Sequence, residues 1–256
     1  TRDNGLMISL EVTGIDGITS GSSAVTALRA GFAHLLDTLD ERFSFYLHRM
    51  MRPARSQLKP IHGQSFAADI DRAWSAELQR RNLQESVLIL TVVRRQVAPL
   101  AVPLFGKAAA KVWGEDTDRR LEELCEVVSI LETGLGVKSH RLKISDGSLI
   151  GFYASLLTGE LRGKSRSRFG IIAEDASDAA IRFGKGQFTV EEGTDTPRVG
   201  AVLYVKSYAT STWPGMLDAL GASRDTIITH SYTPIERGSI TERVKRRVAQ
   251  MRASED

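Results

Sequence analysis

The sequence has little of several things that would narrow its function at once. It holds a single cysteine, Cys125, so no internal disulfide can staple it, and a reducing compartment suits it. No apolar run approaches the roughly 20 residues that span a bilayer. The strongest candidate, Val87 to Val93, has strand length and stops at Arg94 and Arg95. The opening Thr1-Arg2-Asp3-Asn4 has neither an initiator Met nor the apolar core of a secretory signal, so we expect a fragment or a processed product. Charge of one sign is barely in excess: 34 Lys and Arg stand against 31 Asp and Glu, a net +3 that by itself does not mark a nucleic-acid binder. No repeat of fixed period is apparent.

What is present is an ordinary globular composition, 42% apolar and 25% charged, over 256 residues. That length can bury a real core in one large domain or two small ones. Leu6 to Gly14 reads as a strand, and Ser22 or Ser23 can cap a helix with Val25, Leu28, Phe32, Leu35 and Leu39 on one face. Phe43 to Met50 follows as a strand, completing a strand–helix–strand unit. Pro53 to Gly63 is a loop, after which Ser65 can cap a helix bearing Ile70, Trp74 and Leu78 at i, i+4, i+8 spacing. Val87 to Val93 is apolar at every position but Thr91, which suits a central strand covered on both faces.

Pro99 to Gly114, Ala-rich and apolar with Pro99 and Pro103, takes no firm assignment, a flexible excursion being one reading. Asp116 to Thr133 is a helix with Leu121, Leu124, Val128 and Leu131 on its stripe, ended by Gly134 and Gly136. Val137 to Ile144 reads as a strand and Asp146 to Thr158 as a helix, before a basic loop from Gly159 to Gly170. Ile181 to Phe183 and Gln187 to Val190 flank Gly184-Lys185-Gly186, a hairpin signal. Val199 to Tyr208 reads as a strong strand, Pro214 to Leu220 as a short helix opened by proline, and Thr226 to Tyr232 as a strand. Ser239 and Glu242 form a capping box for a last helix with Ile240, Val244, Val248 and Met251 inward. Strands that come singly and as a hairpin, with helices between, predict an α+β fold. We expect a mixed, largely antiparallel sheet with helices packed on it, in two lobes, 1–158 and 159–256.

Most chemical-looking motifs fail on spacing. Gly159 to Ser165 resembles a phosphate loop, but its glycines are one residue too close and a helix precedes it rather than a strand. Gly106-Lys107 lacks the upstream glycine. Ile171 to Asp175 ends an apolar run in acids, as a Mg²⁺-binding strand does, yet has no phosphate loop to serve. His34, His48, His62, His140 and His230 are scattered, without a second ligand at metal spacing. No G-x-S-x-G elbow occurs, and Cys125 lies at the border of a helical stripe, where a buried thiol is the default. The reading therefore assigns no catalytic, cofactor or metal residues. Two basic clusters remain: Arg162, Lys164, Arg166 and Arg168, and Arg243, Lys245, Arg246 and Arg247. Lys164, Arg166, Arg246 and Arg247 are the candidates for phosphate or lipid contact, although a solvated loop and helix face explain them more simply.

Gly200 to Tyr208, followed by Thr212-Trp213-Pro214-Gly215-Met216-Leu217, resembles the N-terminal region of the CagE/TrbE/VirB family of type IV secretion ATPases. There a strand ending in an aromatic precedes a T-x-P-G-M-L-like helix start, matched at Tyr208, Pro214, Gly215 and Met216. His230-Ser231-Tyr232 is similar to the family's next strand, and Glu236 to Arg252 to its charged helix. Leu6 to Gly17 and Phe45 to Arg52 are similar to its opening strands.

The resemblance implies a docking and assembly domain that precedes a RecA-like motor, and nothing up to Asp256 resembles that motor. It implies that ATP and Mg²⁺ belong to the motor, with no cofactor in this chain and no enzymatic site in it. It further implies partners among other copies of the chain and inner-membrane subunits of the secretion system. The place implied is the cytoplasmic face of the bacterial inner membrane, where such proteins power pilus biogenesis and transfer of DNA or protein. Val97 to Trp113 is the candidate contact for a membrane subunit. The alternatives are a basic module touching nucleic acid in a conjugation apparatus, and an independent enzyme.

Overall fold

The computed structural model describes residues 5–15, 20–37, 39–53, 65–81, 83–96, 107–159, 179–191, 197–205 and 226–235, with residues 176, 211, 213, 216, 240–242 and 244–246. Its elements, in order, are β1 Leu6–Val12, α1 Ser22–Asp37, β2 Phe43–Pro53, α2 Phe66–Arg80, β3 Gln84–Arg94, α3 Lys107–Gly134, β4 Ser139–Arg141, α4 Ser148–Thr158, β5 Ala180–Phe183, β6 Phe188–Glu191, β7 Arg198–Gly200 and β8 Ile227–Tyr232. They build an α+β fold with two sheets, one ordered β4-β1-β3-β2-β8 and the other β5-β6-β7.

The apolar run at 87–93 takes the centre of the larger sheet, as its composition requires. β3 runs antiparallel to β1, with Leu10 opposite Leu90 and Ile8 opposite Val92. Residues of both parities along it are buried, so it is covered on both faces. Ser9 and Thr91 face each other in the same register and satisfy one another through a 2.8 Å hydrogen bond between buried hydroxyls. Because β3 lies between β1 and β2, the strand–helix–strand unit is split. The order β4-β1-β3-β2, with helical crossovers α1 and α3, is that of a ferredoxin-like sheet.

Tertiary contacts divide the chain into two interleaved units. Residues 1–47, 88–141 and 229–256 form the first, and 48–87 with 142–228 form the second. The first unit's core joins Leu10 and Val12 of β1, Leu35 of α1, Phe43 and Phe45 of β2, Leu90 and Val92 of β3, and Leu124, Val127, Val128 and Leu131 of α3. Full burial of each such side chain contributes about 2 kcal/mol. Arg141 of β4 grips Glu132 of α3 through two hydrogen bonds of 2.9 and 2.6 Å, tying the edge strand to the helix. That grip holds the Glu132 carboxyl below its ordinary pKa.

In the second unit α4 is buried along Leu149, Ile150, Phe152, Ala154 and Ser155. Gly159, in the left-handed region at φ 77°, closes it by donating to the Ser155 carbonyl at 2.8 Å. The hairpin β5–β6 forms as its Gly-Lys-Gly turn predicts, with Gly186 at φ 83°.

Several elements differ from the sequence reading. α3 starts at Lys107, so residues 107–114 of the Ala-rich stretch are helical, as alanine's helix propensity allows, and 99–106 lie outside the described residues. Its stripe runs through Arg120, Leu124, Val127, Val128 and Leu131, leaving Leu121 exposed. Of the strand expected at 199–208, Val199 and Gly200 fall in β7, residues 201–205 have no regular structure with Val202, Leu203 and Tyr204 exposed, and 206–208 lie outside the described residues. β4 occupies three residues of the eight expected. Ile240 and Val244, expected inward, are exposed.

Candidate functional site

The densest polar geometry in the first unit grows from the ends of two apolar strands. β3 closes with Arg94 and Arg95, and β2 is entered through Asp40-Glu41-Arg42; the Arg95 N–H donates to the Arg42 carbonyl at 2.8 Å. The Arg94 side chain, only 4% exposed, donates from Nε to Glu123 Oε2 of α3 at 2.7 Å and from Nη1 to the Arg95 carbonyl at 2.5 Å. Its guanidinium lies 5.5 Å from the Phe43 ring centroid, within cation–π range. Arg42 and Arg119 approach the same carboxylate at 3.6 and 3.9 Å.

Arg42 also clasps Asp40 with Nε at 2.7 Å and Nη2 at 2.6 Å. The hydrogen bond from Arg42 pulls the Asp40 carboxyl below its usual range and Asp40 raises the guanidinium in return. Thr233, just after β8, accepts from Arg95 Nη2 at 3.0 Å and shares a hydrogen bond with Ser44 Oγ at 3.2 Å. Beside this cluster lies an open cavity of about 430 Å³, lined by Leu39, Asp40, Glu41, Arg42, Pro234 and Ile235. Arg94 ties β3 to α3 through a charge-assisted hydrogen bond to Glu123, and Arg42 and Arg119 add longer ion pairs to the same carboxylate, forming an arginine clamp.

The second unit carries the opposite kind of surface. α2 is capped by Ser65, whose Oγ accepts the Ala68 N–H at 3.3 Å. Its apolar stripe does not enter a core: Phe66, Ile70 and Trp74 are 80, 54 and 53% exposed, while the small Ala68 is buried. Val202, Leu203, Tyr204 and Trp213 add further exposed apolar surface. Aromatic side chains on a surface are the material of protein interfaces.

Of the eight residues singled out from sequence, two, Met216 and Arg246, are among the described residues. Tyr208, Pro214, Gly215, Lys164, Arg166 and Arg247 lie outside the described residues. Met216 sits in a turn, donating its N–H to the Trp213 carbonyl at 3.2 Å. Arg246 is exposed and stands 4.0 Å from Glu242 one turn back. Residues 97–106 of the apolar contact candidate also fall outside the description, and 107–113 begin α3. His48 is a packed histidine, 7% exposed and edge-on to Phe152 at 5.2 Å. Cys125 is a free, half-buried thiol. Among the described residues no three His, Cys, Asp or Glu gather as metal ligands, and no helix is long and apolar enough to cross a membrane.

Sequence reasoning missed the clamp. Its only local signal was a pair of arginines ending an apolar strand, and Glu123 lies 29 residues away on an ordinary charged helix face.

An α+β chain with a ferredoxin-like sheet, an arginine clamp and an outward apolar helix defines a class of scaffold rather than a chemistry. Comparison with known families narrows it. Residues 1–100 match the family described as type IV secretion system ATPase VirB4/TrbE, N-terminal domain. The match spans β1 to β3, the strands that build the centre of the larger sheet. No curated protein matches the chain.

Proposed function

We propose that this chain is the docking and assembly portion of a type IV secretion ATPase, holding the enzyme on inner-membrane subunits of the secretion apparatus and on neighbouring copies. The observation that carries the reading is the VirB4/TrbE match over residues 1–100. The exposed apolar faces support it, because docking by surface complementarity needs aromatic side chains outside the core. ATP and Mg²⁺ chemistry belongs, on this reading, to a motor elsewhere in the protein. The protein sits at the cytoplasmic face of the inner membrane and serves pilus biogenesis and transfer of DNA or protein.

Co-sedimentation tests the proposal. The purified chain is mixed with inner-membrane vesicles from cells that carry the secretion apparatus and from cells that lack it. Sedimentation only with the former supports docking; equal sedimentation with both, or with neither, contradicts it. A salt-sensitive retention on DNA instead would bring forward the nucleic-acid reading through Arg246 and Arg247.

A further inference from the structure

α2 turns Phe66, Ile70 and Trp74 outward, while Ala68 is buried and Leu78 half-buried. At 3.6 residues per turn, Phe66, Ile70 and Trp74 advance along one face, and Glu77 and Arg81 continue it. Along one flank of that face run Asp69, Ala73, Ala76 and Arg80, at the four-three-four spacing that keeps side chains in line. All four flank residues are exposed. The two alanines leave room for another backbone, and the charges at the two ends of the row have opposite sign.

We infer that this face pairs with the same face of a second copy, the two α2 helices lying antiparallel across a two-fold axis near Trp74. The inference rests on the docking reading and supplies a surface for one of its partners, the neighbouring copy.

Two features single out this occupant. In an antiparallel pair a flank of one helix meets the same flank of the other, as e meets e and g meets g in antiparallel coiled coils. With the axis between residues 74 and 75, Asp69 of each copy then stands level with Arg80 of the other, twice over. A parallel pair, which sets one flank of a helix against the other flank of its partner, would leave Asp69 and Arg80 without this pairing. The helix dipoles also oppose one another only in the antiparallel arrangement. In the single chain these charges are held by exposed neighbours on the same helix, Asp69 by Arg72 and Arg80 by Glu77. Such pairs are weak and exchange easily for contacts between copies.

Opposite-charge complementation tests the arrangement on the full chain. Sedimentation equilibrium of the wild type at micromolar concentration is expected to give a dimer. Asp69→Arg alone and Arg80→Glu alone each place like charges opposite one another twice and weaken self-association by about tenfold or more. An equimolar mixture of the two variants restores opposite charges at both contacts and recovers the dimer. Trp74→Glu, which buries a charge at the axis, abolishes it, with circular dichroism checking that the variant stays folded.

A monomeric wild type, variants that still dimerise, or a mixture that stays monomeric would overturn the inference. Recovery in the mixture also answers any charge variant that merely unfolds, since unfolded chains do not complement. Vesicle sedimentation of Trp74→Glu separates the two proposals. A monomer that still binds apparatus-bearing vesicles leaves docking intact, whereas loss of vesicle binding by a wild type that still dimerises counts against docking alone.

Discussion

Arg94 is the residue on which the first unit's polar order turns. Its guanidinium is buried and its carboxylate partner comes from another element, so removing that partner strands a charge. Glu123→Ala is expected to cost about 3 kcal/mol in urea unfolding, whereas Arg42→Ala, on a half-exposed pair, costs less than about 1 kcal/mol. Similar losses for both would show that the cluster acts as a surface network. His48 acts through pH. Burial pushes its pKa from 6.5 down to about 4, so the unfolded chain binds a proton below about 6.5 that the native chain refuses until about 4. Stability therefore falls as pH drops through that window, by up to about 3 kcal/mol, and His48→Leu removes that slope between pH 7 and 5. Gly200 is fixed by contact rather than by conformation: a methyl there would sit 2.5 Å from Phe188 Cζ. Gly200→Ala is expected to destabilise by about 1–3 kcal/mol, and Phe188→Leu in the same chain to recover part of that loss. None of these three sites was legible as a site beforehand. The burial of His48 depends on tertiary packing, and a contact such as Gly200 on Phe188 depends on strand register, which the hydrophobic pattern of so short a strand does not specify.

Among the elements, those with a strong apolar period were readable and those whose apolar residues serve another purpose were not. β1, β3, the β5–β6 hairpin and α4 form where their patterns and turn residues place them. α3 carries its period well, yet its phase shifts so that Leu121 is exposed and Arg120 is buried against Asp116 at 2.8 Å. An arginine that can pair within its own helix may be buried where pattern reading assigns a leucine. α2 inverts the usual rule altogether, because amphipathicity gives a helix two faces without saying which one the fold keeps. The consequence is measurable. Trp74→Ser should change monomer stability by no more than about 1 kcal/mol, since the ring is half exposed, while Leu124→Ala in the core should cost about 3 kcal/mol. Equal losses would place Trp74 in a core. Residues 201–205 show the same lesson in a strand pattern: β-branched and aromatic residues favour extension, yet among the described residues this stretch joins no ladder.

At the scale of the whole molecule, residues 1–100 match the VirB4/TrbE N-terminal domain and α2 carries exposed apolar side chains, the two observations behind the docking proposal. The α+β class was readable from strand and turn order, because those signals are local, and the resemblance at Leu6 to Gly17 and Phe45 to Arg52 falls within the residues that match the VirB4/TrbE domain. The interleaving of the two units was not readable, since strands β2, β3 and β8 each pass from one unit into the other. The central claim is that the chain works as the docking end of a secretion ATPase. An immunoblot of fractionated source cells, with antibody raised against this chain, tests it most directly. The account predicts a band well above 28.1 kDa in the membrane fraction, released when the secretion apparatus is deleted. A band near 28.1 kDa in the soluble fraction, unchanged by that deletion, would contradict it.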